Sequence, residues 1–542
     1  MKCLVTSWIL MGSITGLPAQ TQSHSALPRE AGPIAVNRVN VSTLTGKVMC
    51  GYQGWFAVPS DSINRGWNHY KLGNTFAPGS CKFDLWPDMS EMESDEKHAA
   101  PGFYTASGAQ AYVFSSQNRK TVVRHFKWMS DYGLDGVFIQ RYANTVTKNE
   151  AGLLQFNNVL ANCRAGAHQY GRVFAITYDL TELVAGDWKK LLSDWQTYIV
   201  QKNVLKDSCY LFHDGKPVVR IWGIGFRNRA YTLSECEELI DSLKNHPQYG
   251  GNTVMVGVPT HWRTLDQDAV SDSALHRIIM KADIVSPWFV GRPKTLEEMV
   301  THTQTVVIPD IQWCRQNNKE YIPVAFPGFS WHNMKPESPL NSIPRLRGAF
   351  LWNQYYEYLR AGSTMLYQAM FDEIDEGTAI FKCTNDPPVG ASTFVTYEGL
   401  PSDHYLWLVG EGGRMLRGET ALSASIPERP STNVKKQEMQ LPHEFKLNQN
   451  YPNPFNPSTT IGYALPRRSN VDIEVFNMMG QKIALLVQDR QAAGEYQVLW
   501  NGGDSAGMQV ASGVYICRMR VWGDSEGESD GQFFTKKLLL VR

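Results

Sequence analysis

The chain has 542 residues, room for two or three domains, and its 43% hydrophobic and 11% aromatic content fits a globular protein with a large core. Its 52 basic and 52 acidic residues cancel, and no run of Lys or Arg forms a basic patch, which argues against nucleic acid or an anionic membrane as partner. The 16 Trp are a mild pointer to sugar-binding surfaces, since aromatic faces serve clefts as well as cores.

The N-terminus has the pattern of a secretory signal peptide over residues 1–19. Lys2 carries the charge, Leu4 to Leu17 is mostly apolar, and Leu17-Pro18-Ala19 offers a cut site before Gln20. The stretch is short and broken by Gly12 and Gly16, and no other segment is apolar enough to span a bilayer, so no transmembrane segment is expected. Cys3 leaves with the leader and lies too early for a lipoprotein cysteine. The other eight cysteines form no Cys-x-x-Cys pair, which leaves buried free thiols as the expectation for most. Residues 20 to about 40 are polar with scattered Pro, as in a linker.

From 45 to 412 short apolar runs alternate with helical patterns. The runs are Val48 to Tyr52, Gly136 to Gln140, Val173 to Tyr178, Pro217 to Trp222, Thr253 to Val258, Asp283 to Trp288, Ile322 to Phe326 and Met365 to Met370. Amphipathic stretches lie between them, such as Thr121 to Met129, Leu233 to Leu243 and Leu296 to Val307. Continuous apolar strands alternating with helices predict parallel strands covered on both sides, hence an α/β fold of the (β/α)8 TIM-type barrel class. A doubly wound open sheet is the second choice, but no G-x-G-x-x-G turn follows the first run.

Polar and aromatic residues gather at the expected strand ends, as a sugar cleft requires. They include Gln53 and Trp55, Gln140 and Tyr142, Asp179, Trp222, Trp288 and Trp331. Tyr52, Tyr178, His261, Trp262 and His332 rank highest as substrate contacts. The acidic run from Asp84 to Glu96 lacks the calcium-loop pattern and reads as a solvated loop. No metal site and no cofactor is expected, since Walker and His-Glu-x-x-His motifs are missing from the sequence.

The most informative stretch is Phe371-Asp372-Glu373-Ile374-Asp375-Glu376-Gly377-Thr378, four carboxylates in five residues directly after an apolar strand. Crowded carboxylates on an apolar wall have their pKa values pushed apart, so that one serves as acid while another stays a base. Glycosidic bond cleavage uses such a pair. On one strand, residues i and i+3 point to opposite faces, so Glu373 and Glu376 meet one ligand only if the chain turns between them. The strand is expected to end near Glu373, with Gly377 relieving the turn.

Residues 413–440 turn to Ser, Thr, Pro and charge, as in a linker. Residues 441–542 alternate in strand fashion at Val471 to Phe476, Tyr496 to Trp500 and Val514 to Met519, with Gly-containing turns between. They predict a small all-β, immunoglobulin-like sandwich.

Two resemblances add to these expectations. The segments Asn450-Tyr451-Pro452-Asn453-Pro454-Phe455-Asn456-Pro457, Val475 to Gln481, Ala511 to Tyr515 and the final Thr535 to Arg542 resemble type IX secretion sorting domains. This implies the type IX secretion machinery as a partner, with the protein secreted or attached to the outer membrane of a Gram-negative bacterium. The barrel segment resembles glycoside hydrolase family 99 and the family 71/99-like group. The resemblance is carried by Gly51 to Trp55, Trp86 to Glu91, Gly133 to Val137, Pro259 to Arg263, Pro327 to Asn333 and Ala369 to Lys382. Glu373 and Glu376 match that family's Glu-x-x-Glu-Gly-Thr block. The resemblance implies an endo-α-mannosidase-like enzyme acting with retention on an α-linked oligo- or polysaccharide through a 1,2-anhydro sugar. Glu373 would take the 2-hydroxyl proton, and Glu376 would protonate the leaving oxygen and then activate water. The family usually carries Trp and His between the glutamates, where this chain has Ile374 and Asp375. An inverting α-1,3-glucanase-like enzyme and a glycan-binding protein on an inactive barrel are the open alternatives.

Overall fold

The computed structural model describes residues 38–429, 444–491, 494–505, 508–522 and 531–541. The expected signal peptide lies outside the described residues. The described part divides into two compact units, with the boundary at Pro427/Glu428.

The first unit is built on eight parallel strands: β1 (Val48–Tyr52), β2 (Gly136–Tyr142), β3 (Val173–Asp179), β4 (Lys216–Trp222), β5 (Thr253–Val258), β6 (Ile284–Pro287), β7 (Glu320–Tyr321 and Val324–Ala325) and β8 (Leu366–Gln368). Each pairs in parallel with its sequence neighbours, from β1 with β2 through to β5 with β6. The ring closes through β7 and β8. The first half of β7 pairs with β6, the second half with β8, and β8 pairs with β1. Pro323 lacks the N–H that would continue the ladder, which splits β7 in two. The Ile322 N–H still donates to Val285 O at 3.0 Å, and Pro323 O accepts from the Tyr367 N–H at 3.0 Å.

Helices cover the ring from outside. Arg119–Asp131 joins β1 to β2, Glu150–Tyr170 joins β2 to β3, and Leu233–Asn245 joins β4 to β5. Their starts are capped as the sequence allows: Asn118 accepts from the Lys120 and Thr121 N–H groups, and Thr232 forms a capping box with Glu235. The expected helix from Leu296 to Val307 continues further, through a widened turn at Thr303–Val307, into Ile308–Gln316. Ala349–Arg360 precedes β8. The helix His404–Leu416 runs across position 412, where the linker was expected to begin. Beyond it the Trp352 Nε1–H still donates to Ser423 O, so the barrel unit reaches further than the composition shift suggested.

Strand residues are almost all buried, as parallel strands covered on both sides must be. Side chains alternate between the ring interior and the helix layer. Thus Phe138 and Tyr367 stack inside, while Arg141 faces out to pair with Asp194 at 2.5 Å. The eight cysteines among the described residues are free and buried. No helix among them is long and apolar enough to cross a membrane.

The second unit holds two antiparallel sheets. One contains Lys446–Leu447, Thr459–Leu465 and Gly494–Trp500; the other is ordered Lys482–Gln491, Ser469–Asn477, Gly513–Trp522 and Gln532–Leu540. Ile461, Ile473, Trp500, Cys517 and Leu538 share one core between them. The Asn450 amide donates to Pro452 O and to Thr459 Oγ1, which ties the proline-rich loop to the first sheet.

Candidate active site

The acidic block sits at the C-terminal end of the barrel, where catalytic groups of such folds lie. The strand ends sooner than expected, at Gln368, so Glu373 and Glu376 both belong to the loop that follows. That loop is a closed structure. The Ile380 and Phe381 N–H groups donate back to Met370 O and Phe371 O, and the Phe371 N–H donates to Gly51 O of β1. Gly377 holds φ +62°, and a Cβ there would lie a tight 3.0 Å from the Ser330 nitrogen, so both the backbone and the space favour glycine.

Neighbouring loops fix the block from two sides. The buried Arg345 guanidinium donates to Gly377 O at 2.7 Å and Ala379 O at 2.8 Å. Asp84 knits three loops together. Its N–H donates to Ile374 O, while its carboxylate accepts from Ser330 Oγ and from the His332 and Asn333 N–H groups. Asp84 is therefore fully buried and no part of a solvated acidic loop; Glu96 is likewise buried, paired with Arg124.

Each carboxylate of the block has its own environment. Asp372 accepts the Gln53 and Gly54 N–H groups at 2.8 and 2.9 Å, which anchors the block to the end of β1; burial nevertheless pushes it up to about 7. Glu373 receives Gln53 Nε2 on one oxygen and Thr378 Oγ1 on the other, both at 3.0 Å. Burial, together with the charges of Glu376 and Asp375, holds its carboxyl well above the usual range. Asp375 bonds His69 Nδ1 at 2.8 Å. Burial lowers the His69 pKa, although this contact works in the opposite sense. Glu376 is half-buried, and burial and the Asp375 charge raise it to about 7, while Lys335 and Lys82 pull it down.

Glu373 and Glu376 line one cavity of about 260 Å³. Gln53, Gln140, Asp179, Trp222 and Trp288 line it too, each from the end of a different strand or just beyond it, together with Trp55, Tyr142, Thr181 and Arg229. The rings of Trp222 and Trp288 meet edge to face at 5.4 Å. Gly257 is small because a Cβ there would lie 2.5 Å from the Trp222 ring. Asp179, also pushed up by burial, places a third carboxylate beside the pair. Below, on β4, lies the fully buried Arg220, whose guanidinium sits 4.4 Å from the Tyr367 ring centre. A cavity of about 490 Å³ shares Trp222, Trp288, Arg229 and Glu376 with the first and extends towards Phe329 and Trp331. On the other side a pocket of about 190 Å³ shares Trp55 and Tyr142.

The five residues ranked highest as substrate contacts are placed elsewhere. Tyr52 is fully buried, with its hydroxyl bonded to His125 Nδ1 at 2.9 Å in the helix layer. Tyr178 is buried against Asp194, also outside the ring. Trp262 is buried and donates to Asp310 at 2.9 Å. His261 lines a separate cavity and bonds Asp268. His332 bonds Ser338 O, close to Trp331 but on none of the cavity walls that hold the glutamates. The reason is strand parity: Tyr52 and Tyr178 point to the helices, whereas their neighbours Gln53 and Asp179 point over the cavity. The polar-x-polar spacing of Gln53-x-Trp55, Gln140-x-Tyr142 and Thr177-x-Asp179 was the signal that marks the facing side.

No family model matches the chain, and no curated protein matches it. Among solved structures, the chain is similar to the GH99 endo-alpha-mannosidase from Bacteroides thetaiotaomicron, with 14% identity over 69% of this chain and 99% of that one and a TM-score of 0.49. It is also similar to a glycoside hydrolase-like protein, with 12% identity over 71% of this chain and 97% of that one and a TM-score of 0.42. A short stretch is similar to PorZ, a surface component of the type-IX secretion system of Porphyromonas gingivalis, with 20% identity, 20% of this chain and 13% of that one covered, and a TM-score of 0.13.

Proposed function

We propose that this protein is a glycoside hydrolase that cleaves α-glycosidic bonds, with Glu373 and Glu376 as its catalytic pair. One observation carries this: two carboxyls with raised pKa values face a single cavity walled by Trp222 and Trp288. Two crowded carboxyls hold one proton between them near neutral pH. Burial alone would leave that proton on the more enclosed Glu373. Gln53 Nε2 and Thr378 Oγ1 donate to its two oxygens, which opposes that rise and favours the charged form, and the proposed assignment places the shared proton on Glu376 once substrate is bound. Glu373 is then a base and Glu376 an acid facing the open side. A sugar 2-hydroxyl that donates to Glu373 strengthens the same bias.

In a retaining route the 2-oxygen, losing its proton to Glu373, attacks C1 from the face opposite the leaving group. Glu376 protonates the departing oxygen, and the 1,2-anhydro sugar forms. Glu376 then takes a proton from water, which opens that ring at C1, while Glu373 returns its proton to O2 as the C1–O2 bond breaks. α-Mannose suits this route, because its axial O2 stands anti to the axial leaving group. Cavities on both sides of the pair favour attack within a chain over attack at its end. The C-terminal unit is proposed to serve type IX export, on the strength of its sequence motifs, with the protein secreted or held on the outer membrane.

Proton NMR of the first products from α-mannan and α-1,3-glucan oligosaccharides tests the assignment. An α-anomer released first from mannan is expected. A β-anomer from glucan would make the enzyme an inverting glucanase and end the role given to Glu373. Absence of turnover on every α-glycan, with binding retained, would favour a glycan-binding protein.

A further inference from the structure

The pocket of about 190 Å³ beside the glutamates is lined mainly by donors and cations. Arg65, Lys82, His69 and Asn144 line it, and Trp55 and Tyr142 separate it from the catalytic cavity. Among the described residues neither Arg65 nor Lys82 forms an ion pair. The one side-chain partner of Arg65 is the neutral Gln155, at 2.6 Å, and only burial acts on its charge. The ammonium of Lys82 lies near enough to Glu376 and His69 to act on both. Several partly buried cations elsewhere in the barrel unit are neutralised, Arg124 by Glu96, Arg263 by Asp310 and Arg164 by Asp207, although Arg229 of the catalytic cavity forms no ion pair among the described residues.

The remaining lining points the same way. The Trp55 Nε1–H is buried with no hydrogen-bond partner. The Trp55 ring stacks on His69 at 3.8 Å and 6°, and His69 itself holds the left-handed φ of +63°. Asp375 secures His69 from behind. The one acid on the wall is Glu182, exposed at the rim, where it accepts from Asn144 Nδ2 at 2.9 Å. A neutral sugar hydroxyl both donates and accepts, so it needs acceptors as well as donors around it. This pocket is rich in donors and cations and poor in acceptors, which fits a group that only accepts.

We infer that the pocket is a subsite for an anionic substituent of the glycan, a sulfate, phosphate or carboxylate carried by a sugar near the cleaved bond. The inference deepens the glycosidase assignment and rests on it. Arg65 offers a planar fork, Lys82 a point charge, and Trp55 the wall shared with the reacting sugar.

The test uses the full chain and Arg65→Gln. Three α-mannooligosaccharides bearing a sulfate ester, a phosphate ester or a uronate are compared with the neutral parent, and sodium sulfate is titrated while Trp fluorescence is followed. The expected result is a KM at least tenfold lower for one or more of the charged substrates. That preference should shrink to near parity in Arg65→Gln, with hydrolysis of the neutral parent unchanged. The substrate that gains most identifies the oxyanion. Equal treatment of all four by the wild type, or a preference that survives Arg65→Gln, overturns the inference and leaves the glycosidase assignment standing. Sulfate binding that is lost in Arg65→Gln, with no hydrolysis of any substrate, keeps the subsite and removes the glycosidase. Should Arg65→Gln not fold, the salt dependence of the wild type decides. A charged-substrate preference that falls steadily with ionic strength supports the subsite, and one that does not change opposes it.

Discussion

Gln53 Nε2 donates to Glu373 Oε1 at 3.0 Å, so the residue just past the first barrel strand fixes a carboxylate that follows the last one. The Gln53 backbone N–H meanwhile donates to Asp372 Oδ1 at 2.8 Å. One residue thus orients two members of the acidic block, and the closure of the ring from β8 onto β1 makes the contact possible.

Glu376→Gln should lower kcat by about 10²- to 10⁴-fold while oligosaccharide binding persists, because the amide keeps the shape and loses the proton. Calorimetric titration of the variant with the uncleaved substrate checks both halves. Glu373→Gln should lose turnover to a similar degree, and a variant that kept it would remove Glu373 from the reaction.

The pH profile should fall on its alkaline side near 7, where Glu376 gives up its proton. The Asp375 charge raises Glu376, so Asp375→Asn should move that limb to lower pH, by about half a unit or more for a buried neighbour. A kcat/KM profile of both proteins checks this. An upward shift would contradict the sign derived from the structure.

The stability contributed by three acids raised by burial should decline as pH rises from about 4 to about 8. Asp372, Asp310 and Glu376 start from 3.8, 3.8 and 4.5 and are each raised to about 7 by burial. The folded state therefore holds protons that the unfolded chain has released, and the stability they contribute is complete below pH 4 and lost through 7. Glu376→Gln removes one such group and should be more stable than wild type at pH 8, by on the order of 1 kcal/mol. Thermal melts of both proteins at pH 5 and 8 give the comparison; a Glu376→Gln variant that gains nothing on wild type between pH 5 and pH 8 would contradict it.

Tyr52→Phe should leave kcat/KM unchanged and cost about 1 kcal/mol of stability, since the hydroxyl serves His125 and touches no substrate. Trp222→Ala should do the reverse kind of damage, raising KM by about tenfold through the loss of roughly 1.4 kcal/mol of sugar stacking. Steady-state kinetics beside denaturant titration separate the two effects.

Much of the barrel unit was legible in the sequence, because continuous apolar runs are what a strand buried on both faces must be. Val48 to Tyr52 and Thr253 to Val258 form strands over those same residues. The acidic block announced itself by charge density alone. The direction of each strand-end side chain was harder to read, because no alternation within an apolar run sets its parity and only the polar-x-polar spacing at and past its end marks the facing side. Tyr178 and Asp179 look equally suited to a cleft, yet a shift of one residue separates the helix layer from the cavity. Trp262 was lost to a different cause: its indole N–H is held by Asp310, a partner 48 residues away that no local pattern reveals.

The knot at Asp84 divides the rim of the barrel into replaceable and irreplaceable parts. Segments 83–85, 328–333 and 371–381 are cross-tied through Asp84 and Arg345, so an insertion in any of them displaces the glutamates. Segments 143–149 and 259–272 hold none of those ties. A protein engineer seeking a new substrate would graft loops there, and divergence among natural relatives should accumulate in the same two segments while the knotted three keep their length.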